Sequence, residues 1–314
     1  MNPLISICIP AYKNEFYFRI LLDSIGEQTF KDYEVIITDD SPDNNLEKIY
    51  SLYKSKFCVK YYRNEPALGT PANWNFAIGK AKGQWIKIMH NDDWFISERS
   101  LHSFAEATKK NTDFIFSAYS NINLQNSLSS ISRLSMFELA LLKKSPYNLF
   151  KKNFIGHPST TLIRRKHNQI VYDENIKWVV DFDYYIRFLS ENNDFIYINI
   201  PLINIGIHDN QVTKASFRIR EVEIPENIYL LNKLGIQHLK NIFVYDYYWR
   251  LCRNLNIREP AELSPLINVN LAPAPFIKMI RAQSQISKAL LKIGIFSKIL
   301  MSISYVNNYL RRSI

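Results

Sequence analysis

Residues 87–95 read KIMHNDDWF. An apolar run breaks at His90 into Asn91, Asp92 and Asp93, then resumes with two aromatic side chains. Strands inside α/β domains are covered on both faces, where an unpaired carboxylate is costly. Two adjacent acids therefore mark the place where such a strand leaves the core. The same signature stands upstream in YEVIITDDSPDN (33–44), where an apolar run ends in Asp39 and Asp40.

Outward from these strand ends, strand-like and helix-like stretches alternate over the first 120 residues. Strands are expected at 4–10, 33–39, 56–63, 83–90 and 113–120. Helices are expected at 14–28, 44–54, from about 71 with Pro71 in the first turn, and at 98–110. Alternation of this kind implies an α/β fold with a mainly parallel sheet and helices on both faces. Such sheets bind ligands at the carboxyl ends of their strands. Tyr12, Asp39, Asp40, Asp92 and Asp93 all fall at those ends, so the acids are expected on a shared rim and not in the core. Further along, 121–150 reads as irregular surface excursions, 156–165 as a return strand, and 181–192 as a helix opened by acids, as the helix dipole prefers. Residues 194–213 read as strand ending in a polar turn. Beyond 215 the pattern is helical, with a Pro-rich break around 260–275.

Of the 314 residues, 47% are hydrophobic, enough for a large core and incompatible with disorder. Three well-separated cysteines, Cys8, Cys58 and Cys252, form neither a disulfide framework nor a zinc spacing, which fits a reducing cytoplasm. The opening MNPLISICIPAY lacks a basic leader and reads as a first strand, and no apolar run reaches the ~18 residues of a spanning helix. Net charge is +10, unevenly placed: 263–314 holds seven Lys/Arg and no Asp/Glu, leaving 32 basic and 29 acidic residues over 1–262. A near-neutral body argues against a nucleic-acid-binding core, and the basic end points to an anionic partner there.

One Asp-Asp pair can simply cap a helix. Two pairs, each directly after an apolar strand of one sheet, ask for more. Unit charges ~4 Å apart repel by about 1 kcal/mol in water and about 4 at an effective dielectric of 20, so clustered acids call for a compensating cation. Mg²⁺ typically takes one or two carboxylates together with substrate phosphates. The segment PAYKNEFYF (10–18) contains no glycine, which excludes a dinucleotide-binding G-x-G-x-x-G. It also departs from the glycine-rich basic loop of a sugar-phosphate nucleotidyltransferase. That enzyme class, and a catalytically inactive transferase-like binding protein, stand as the alternatives.

In order, SICIPAYKNEFYFRILLDSIGEQTFKDYEVIITDDS (6–41) and LGTPANWNFAIGKAKGQWIKIMHNDDWF (68–95) resemble the opening blocks of family 2 glycosyltransferases, and the resemblance runs over about 3–213. It implies a GT-A fold and a metal-dependent, inverting transfer from a nucleotide-sugar. Pro10, Ala11 and Tyr12 would line the base pocket. Asp40, with Asp39, would accept from the base N3–H, favouring UDP- or dTDP-sugars. Asp92 would meet ribose and metal, Asp93 the metal, and His208 in IGIHDNQVT (205–213) would join the metal, with Gln211 steadying its loop. The cofactor is then Mg²⁺ or Mn²⁺. His90 stands where family members often have Asp; packing, an indirect role and direct contact are all open to it.

VVDFDYY (179–185) resembles the family's catalytic Glu-Asp, with Asp181 as general base and Val180 replacing the first acid; helix capping is the alternative for Asp181. Asp183 reads as a neighbour or surface residue. His157, Ser159 and Thr160 in GHPST would lie on the acceptor side. Bacterial relatives of this kind extend O-antigen, lipopolysaccharide or capsule units on undecaprenyl diphosphate at the cytoplasmic face, and NWN and HNDDW are similar to rhamnosyl- or deoxyhexosyltransferases. The expected division is a catalytic domain over 1–214 and a helical extension over 215–314. At about 100° per residue, 276–300 forms a basic amphipathic tail, with Lys278, Arg281, Lys288 and Lys292 beside Met279, Ile286, Leu290, Ile293 and Leu300. That tail either meets an anionic membrane surface or docks on the catalytic domain.

Overall fold

In a computed structural model, which describes residues 2–126, 128–166, 170–208 and 217–309, the chain forms two compact units. The first comprises Met1–Lys143 and Phe154–Gln211, the second Lys144–Asn153 and Val212–Ile314. The boundary expected at 214/215 lies outside the described residues, as does Gln211.

The first unit runs β1 (Ile5–Ala11), α1 (Glu15–Gly26), β2 (Tyr33–Asp39), α2 (Asn45–Ser51), β3 (Val59–Arg63), α3 (Ala72–Lys80), β4 (Trp85–Ile88) and β5 (Asp93–Phe95). It continues through α4 (Ser100–Ala107), β6 (Phe114–Asn123), β7 (Leu128–Ser132), α5 (Met136–Lys144), β8 (Thr161–Arg164), α6 (Val180–Glu191) and β9 (Ile196–Gly206). Its sheet has the order β3-β2-β1-β4-β8-β6-β9-β5, with β7 added to β6. β1 sits between parallel β2 and β4, paired Ile5↔Tyr33 to Ala11↔Asp39 on one side and Ile5↔Trp85 to Cys8↔Ile88 on the other. β8 then returns antiparallel between β4 and β6. β1 and β2 are buried along their whole length, which is why they read as mostly apolar; the buried Glu34 of β2 accepts from Ser6 Oγ, Lys60 Nζ and Lys82 N. One face of β1 (Ile5, Ile7, Ile9, Ala11) packs in a core with Phe18, Leu21, Leu22, Ile25, Leu101 and Phe104. This packing aims the ends of β1, β2 and β4 at one rim.

Residues 121–150 are more regular than expected. LSSIS (128–132) is a mostly exposed strand with only two apolar side chains, and the ladder to β6 supplies the order that its composition does not.

The second unit contains a 3₁₀ turn (Pro146–Phe150) and α7 (Arg220–Leu234), α8 (Ile242–Asn254), α9 (Ala274–Ser284), α10 (Lys288–Lys292) and α11 (Gly294–Tyr309). Its core joins Tyr245, Tyr248, Trp249 and Cys252 of α8 to Phe276, Met279 and Ile280 of α9. The single helical face expected over 276–300 does not form. α9 ends at Ser284, the Ser287 hydroxyl caps α10 by accepting from Leu290 N, and Gly294 starts a new helix. Met279 is fully buried while Leu290 and Ile293 are exposed. No described helix is long and apolar enough to cross a membrane.

Candidate active site

Directly after β1, Lys13 and Asn14 take left-handed backbone conformations (φ 52° and 60°), and this bend brings four loops together. Lys13 N donates to Ser41 Oγ after β2 (2.8 Å), and Asn91 Nδ2, after β4, donates to Lys13 O (2.9 Å). Asn14 Nδ2 lies 3.3 Å from His208 Nε2, which also sits 3.0 Å from Asp92 Oδ2. His208, just beyond β9, stacks on Tyr17 with ring centroids 5.0 Å apart. The ends of β1, β2, β4 and β9 thus share one rim, which the sequence predicts from the first three alone.

The acids lie beneath that rim more than on it. Asp39, Asp40 and Asp93 are buried at 0%, 6% and 2% exposure, which corrects the expectation that they are displayed. Each is tolerated because the chain supplies donors. Asp39 accepts from Ser41 N (2.7 Å) and Tyr61 Oη (2.6 Å). Asp40 accepts from Asn64 Nδ2 (2.8 Å), Leu68 N (3.0 Å) and Gly69 N (2.8 Å), fixing the loop ahead of α3. Asp93 accepts from Gly206 N (3.3 Å) and hydrogen-bonds Ser159. Burial, reinforced by the Asp92 charge, still pushes its carboxyl well above the usual range. Asp92 is also desolvated, but His208 and His90 outweigh that and hold its carboxyl below the ordinary value. Of the predicted base-pocket residues, Pro10 and Ala11 are buried strand positions and Tyr12 alone is exposed, with Lys13 Nζ 5.0 Å from its ring centroid.

One ligand atom each from His90, Asp92 and Asp93 lies within 4.8 Å of the others. Burial lowers the His90 pKa to about 4, leaving a neutral imidazole, and its buried Nε2 has no hydrogen-bond partner. A neutral imidazole with two carboxylates is a donor set that suits a divalent ion. His208 stands outside this trio and reaches it through Asp92.

Asp181 lies in the first turn of α6, whose N-cap, Val179, makes no side-chain cap bond. The Asp181 carboxyl is buried, its Oδ1 has no partner, and burial pushes its pKa up to about 7. Two neighbouring phenols feel its charge, Tyr172 and Tyr185. Tyr172 Oη is a further buried atom without a partner. Trp74 bridges the two halves of the site: its ring centroid is 5.0 Å from Tyr172 and 4.7 Å from His90. Asp183 is not at the surface; it is fully buried and paired with Arg187 at 2.6 Å. His157 is partly buried and packs edge-on against Tyr119. Ser159 Oγ accepts from His90 N (3.0 Å), and Thr160 Oγ1 donates to the His157 carbonyl (2.8 Å).

Asn14 and Tyr172 carry no signal that a single sequence exposes, and Trp74 and Asn91 stand within NWN and HNDDW with no role assigned to them there. Lys87 does: it is a lone cation inside the run that opens KIMHNDDWF. It is fully buried, burial lowers its pKa to about 7 against the pull of Asp93, and its Nζ donates to the Ser159 carbonyl.

A glycosyltransferase of Methanocaldococcus jannaschii is 26% identical over 80% of this chain and 85% of its own. The Escherichia coli protein UDP-Glc:alpha-D-GlcNAc-diphosphoundecaprenol beta-1,3-glucosyltransferase is 27% identical over 77% of this chain and 96% of its own. Staphylococcus aureus TarS, solved with UDP-GlcNAc, superposes with a TM-score of 0.61 at 16% identity, covering 98% of this chain and 89% of that one. A mannosyltransferase of Pyrobaculum calidifontis, solved with GDP-Man and Mn²⁺, gives 0.57 at 14% identity, covering 99% and 88%. The fold is GT-A. The sequence model of glycosyl transferase family 2 matches residues 6–170, more than half of the chain, and the chain belongs to that family.

Proposed function

We propose that the protein is an inverting, metal-dependent transferase that moves a sugar from a UDP- or dTDP-sugar to a lipid-linked glycan in cell-surface polysaccharide assembly. The observation that carries this reading is a chain of buried, unpartnered atoms: His90 Nε2 and Tyr172 Oη, whose rings both pack on Trp74, and Asp181 Oδ1, whose charge Tyr172 feels. Buried polar atoms in native proteins are nearly always satisfied. Three of them linked in this way, one just past the carboxyl end of β4 and one the carboxyl tuned near neutrality, are what a substrate would complete.

In this reading the donor base meets Tyr12, and its N3–H donates to a lone pair left free on Asp40 or Asp39. Asp181 accepts the proton of the acceptor hydroxyl. A pKa near working pH gives a base that is both substantially ionised and willing to take that proton. The acceptor oxygen then attacks the anomeric carbon from the face opposite the departing nucleoside diphosphate, inverting the configuration in one displacement. His90, Asp92 and Asp93 would hold Mg²⁺ or Mn²⁺, whose charge would stabilise the leaving diphosphate. An acceptor on undecaprenyl diphosphate, with the enzyme peripheral at the cytoplasmic face, draws support from the lipid-linked substrate in the name of the Escherichia coli relative. The basic last 52 residues add to it.

A panel of UDP-, dTDP- and GDP-sugars, read as metal-dependent thermal shift, selects the donor. Nucleotide release with an undecaprenyl-diphosphate glycan then tests transfer. Turnover by Asp181→Asn at the wild-type rate would remove Asp181 from the mechanism. Donor binding without any nucleotide release would leave a binding protein.

A further inference from the structure

The last helix is built inside out. Against α8, α11 turns Ser297, Met301, Ser304 and Asn308 inward: Trp249 Nε1 and Arg253 Nη1 donate to Ser297 Oγ (both 3.1 Å), Tyr245 Oη and Ser304 Oγ lie 2.7 Å apart, and Asn308 Nδ2 donates to Tyr245 Oη (2.7 Å). Its outer face carries Ile295 (70% exposed), Phe296 (47%), Ile299 (53%), Ile303 (53%) and Val306 (37%). At about 100° per residue these five span roughly one quadrant of the helix. A helix that spends hydroxyls on its neighbour and leaves an apolar stripe in water has the opposite polarity from a helix of a free-standing globule.

We infer that this stripe is a membrane-docking surface that inserts into the headgroup layer of an anionic bilayer. Charge complementarity selects that occupant. From 263 onward the chain holds seven Lys/Arg and no acid. Just ahead of the stripe, Lys288 and Lys292 are exposed on the short α10 beside exposed Leu290 and Ile293. Apolar side chains entering the interface with cations at the headgroups is the pattern of interfacial helices. The inference rests on the reading of a lipid-linked acceptor, and it moves the apolar surface from the single face expected over 276–300 to α11, keeping Lys288 and Lys292 as its cations.

The test is co-sedimentation of the full chain with phosphatidylcholine vesicles, with and without phosphatidylglycerol, alongside sedimentation velocity without lipid. The wild type should partition preferentially to anionic vesicles. I299S/I303S, which alters side chains already half in water, should melt like the wild type and partition about 30-fold more weakly, equivalent to about 2 kcal/mol. K288Q/K292Q should lose about fivefold per charge, on anionic vesicles only. Equal partitioning of all three proteins would overturn the inference while leaving the membrane reading intact. A wild type that ignores vesicles and forms a dimer dissolved by I303S would give the stripe to a second copy instead. If vesicle binding depends on Ile299 and Ile303 but transfer accepts only water-soluble glycans, the docking surface stands and the acceptor reading falls.

Discussion

Replacing Asp181 by Asn should make the protein more stable above neutral pH, while abolishing transfer. Burial raises this carboxyl from the ordinary 3.8 to about 7. At ~1.36 kcal/mol per pH unit, that displacement is worth about 4 kcal/mol. The folded state binds more protons than the unfolded state between these two values. Stability from this group therefore falls as pH rises from about 4 to about 7 and is fully lost above. Asn carries no such dependence. Its amide brings a fixed cost of roughly 1–3 kcal/mol for the unmet hydrogen bond, but a constant offset does not alter a slope. The assay is urea unfolding of both proteins across pH 4–9 without nucleotide or metal, read as the difference in unfolding free energy. That difference should move in favour of Asn by on the order of 2–4 kcal/mol between pH 4 and 8. Lys87, Asp93 and His90 also have shifted pKa values, but they are common to both proteins and cancel. A flat difference would show that Asp181 is solvated and ionised throughout, and with that its tuning as a base would fail.

Arg187→Met should act in the opposite direction two residues on: it removes the cation paired with Asp183 at 0% exposure, and urea unfolding should show a loss of about 3–5 kcal/mol. Gly206→Ala would drive a Cβ into the Asp92 carbonyl and to 3.1 Å from Tyr17 Cε1; donor affinity by titration calorimetry should fall at least about tenfold, and an unchanged Kd would detach Asp92 from donor binding. Asn64→Ala removes donors to Asp40 Oδ1 and Asn73 Oδ1 and should cost about 1–3 kcal/mol of stability. Transfer rate in the wild type should climb about tenfold per pH unit up to about 7 and then level, as Asp181 ionises; a rate indifferent to pH over that range would exclude it as the base.

The sheet was legible because β1, β2 and β4 are buried on both faces, so apolar residues dominate them, with Glu34 and Lys87 as internal exceptions. The rim was legible for the complementary reason, since each run stops abruptly at polar residues. What the chain does with those residues was not legible. Whether Asp40 shows its carboxylate to solvent or spends it on Asn64, Leu68 and Gly69 depends on a loop more than 20 residues away. Asp181 and Asp183 look alike in VVDFDYY, yet Asp183 is paired with Arg187 while burial raises the Asp181 carboxyl to about 7. Helical periodicity likewise carried 276–300 as one face, because a wheel cannot register that Ser287 and Gly294 each restart the helix and rotate the pattern.

The opening stretch shows why burying acids at a binding rim is workable. Asp93 can be dry because Gly206 N, Ser159 and the Lys87 charge surround it, and Lys87 can be dry because Asp93 and the Ser159 carbonyl face it. Each half would be strongly unfavourable alone. Once assembled, the network fixes His90, whose backbone N donates to Ser159 Oγ, while His208 fixes Asp92, without relying on solvent to orient either. A dry, prearranged polar site does not have to reorganise when charge builds on a departing diphosphate, and this is where preorganised electrostatics gain most over water. In the proposed mechanism the unpaired atoms of His90, Tyr172 and Asp181 are the part of the network left for substrate to close, and a substitution that satisfied them internally would stabilise the fold at the expense of turnover.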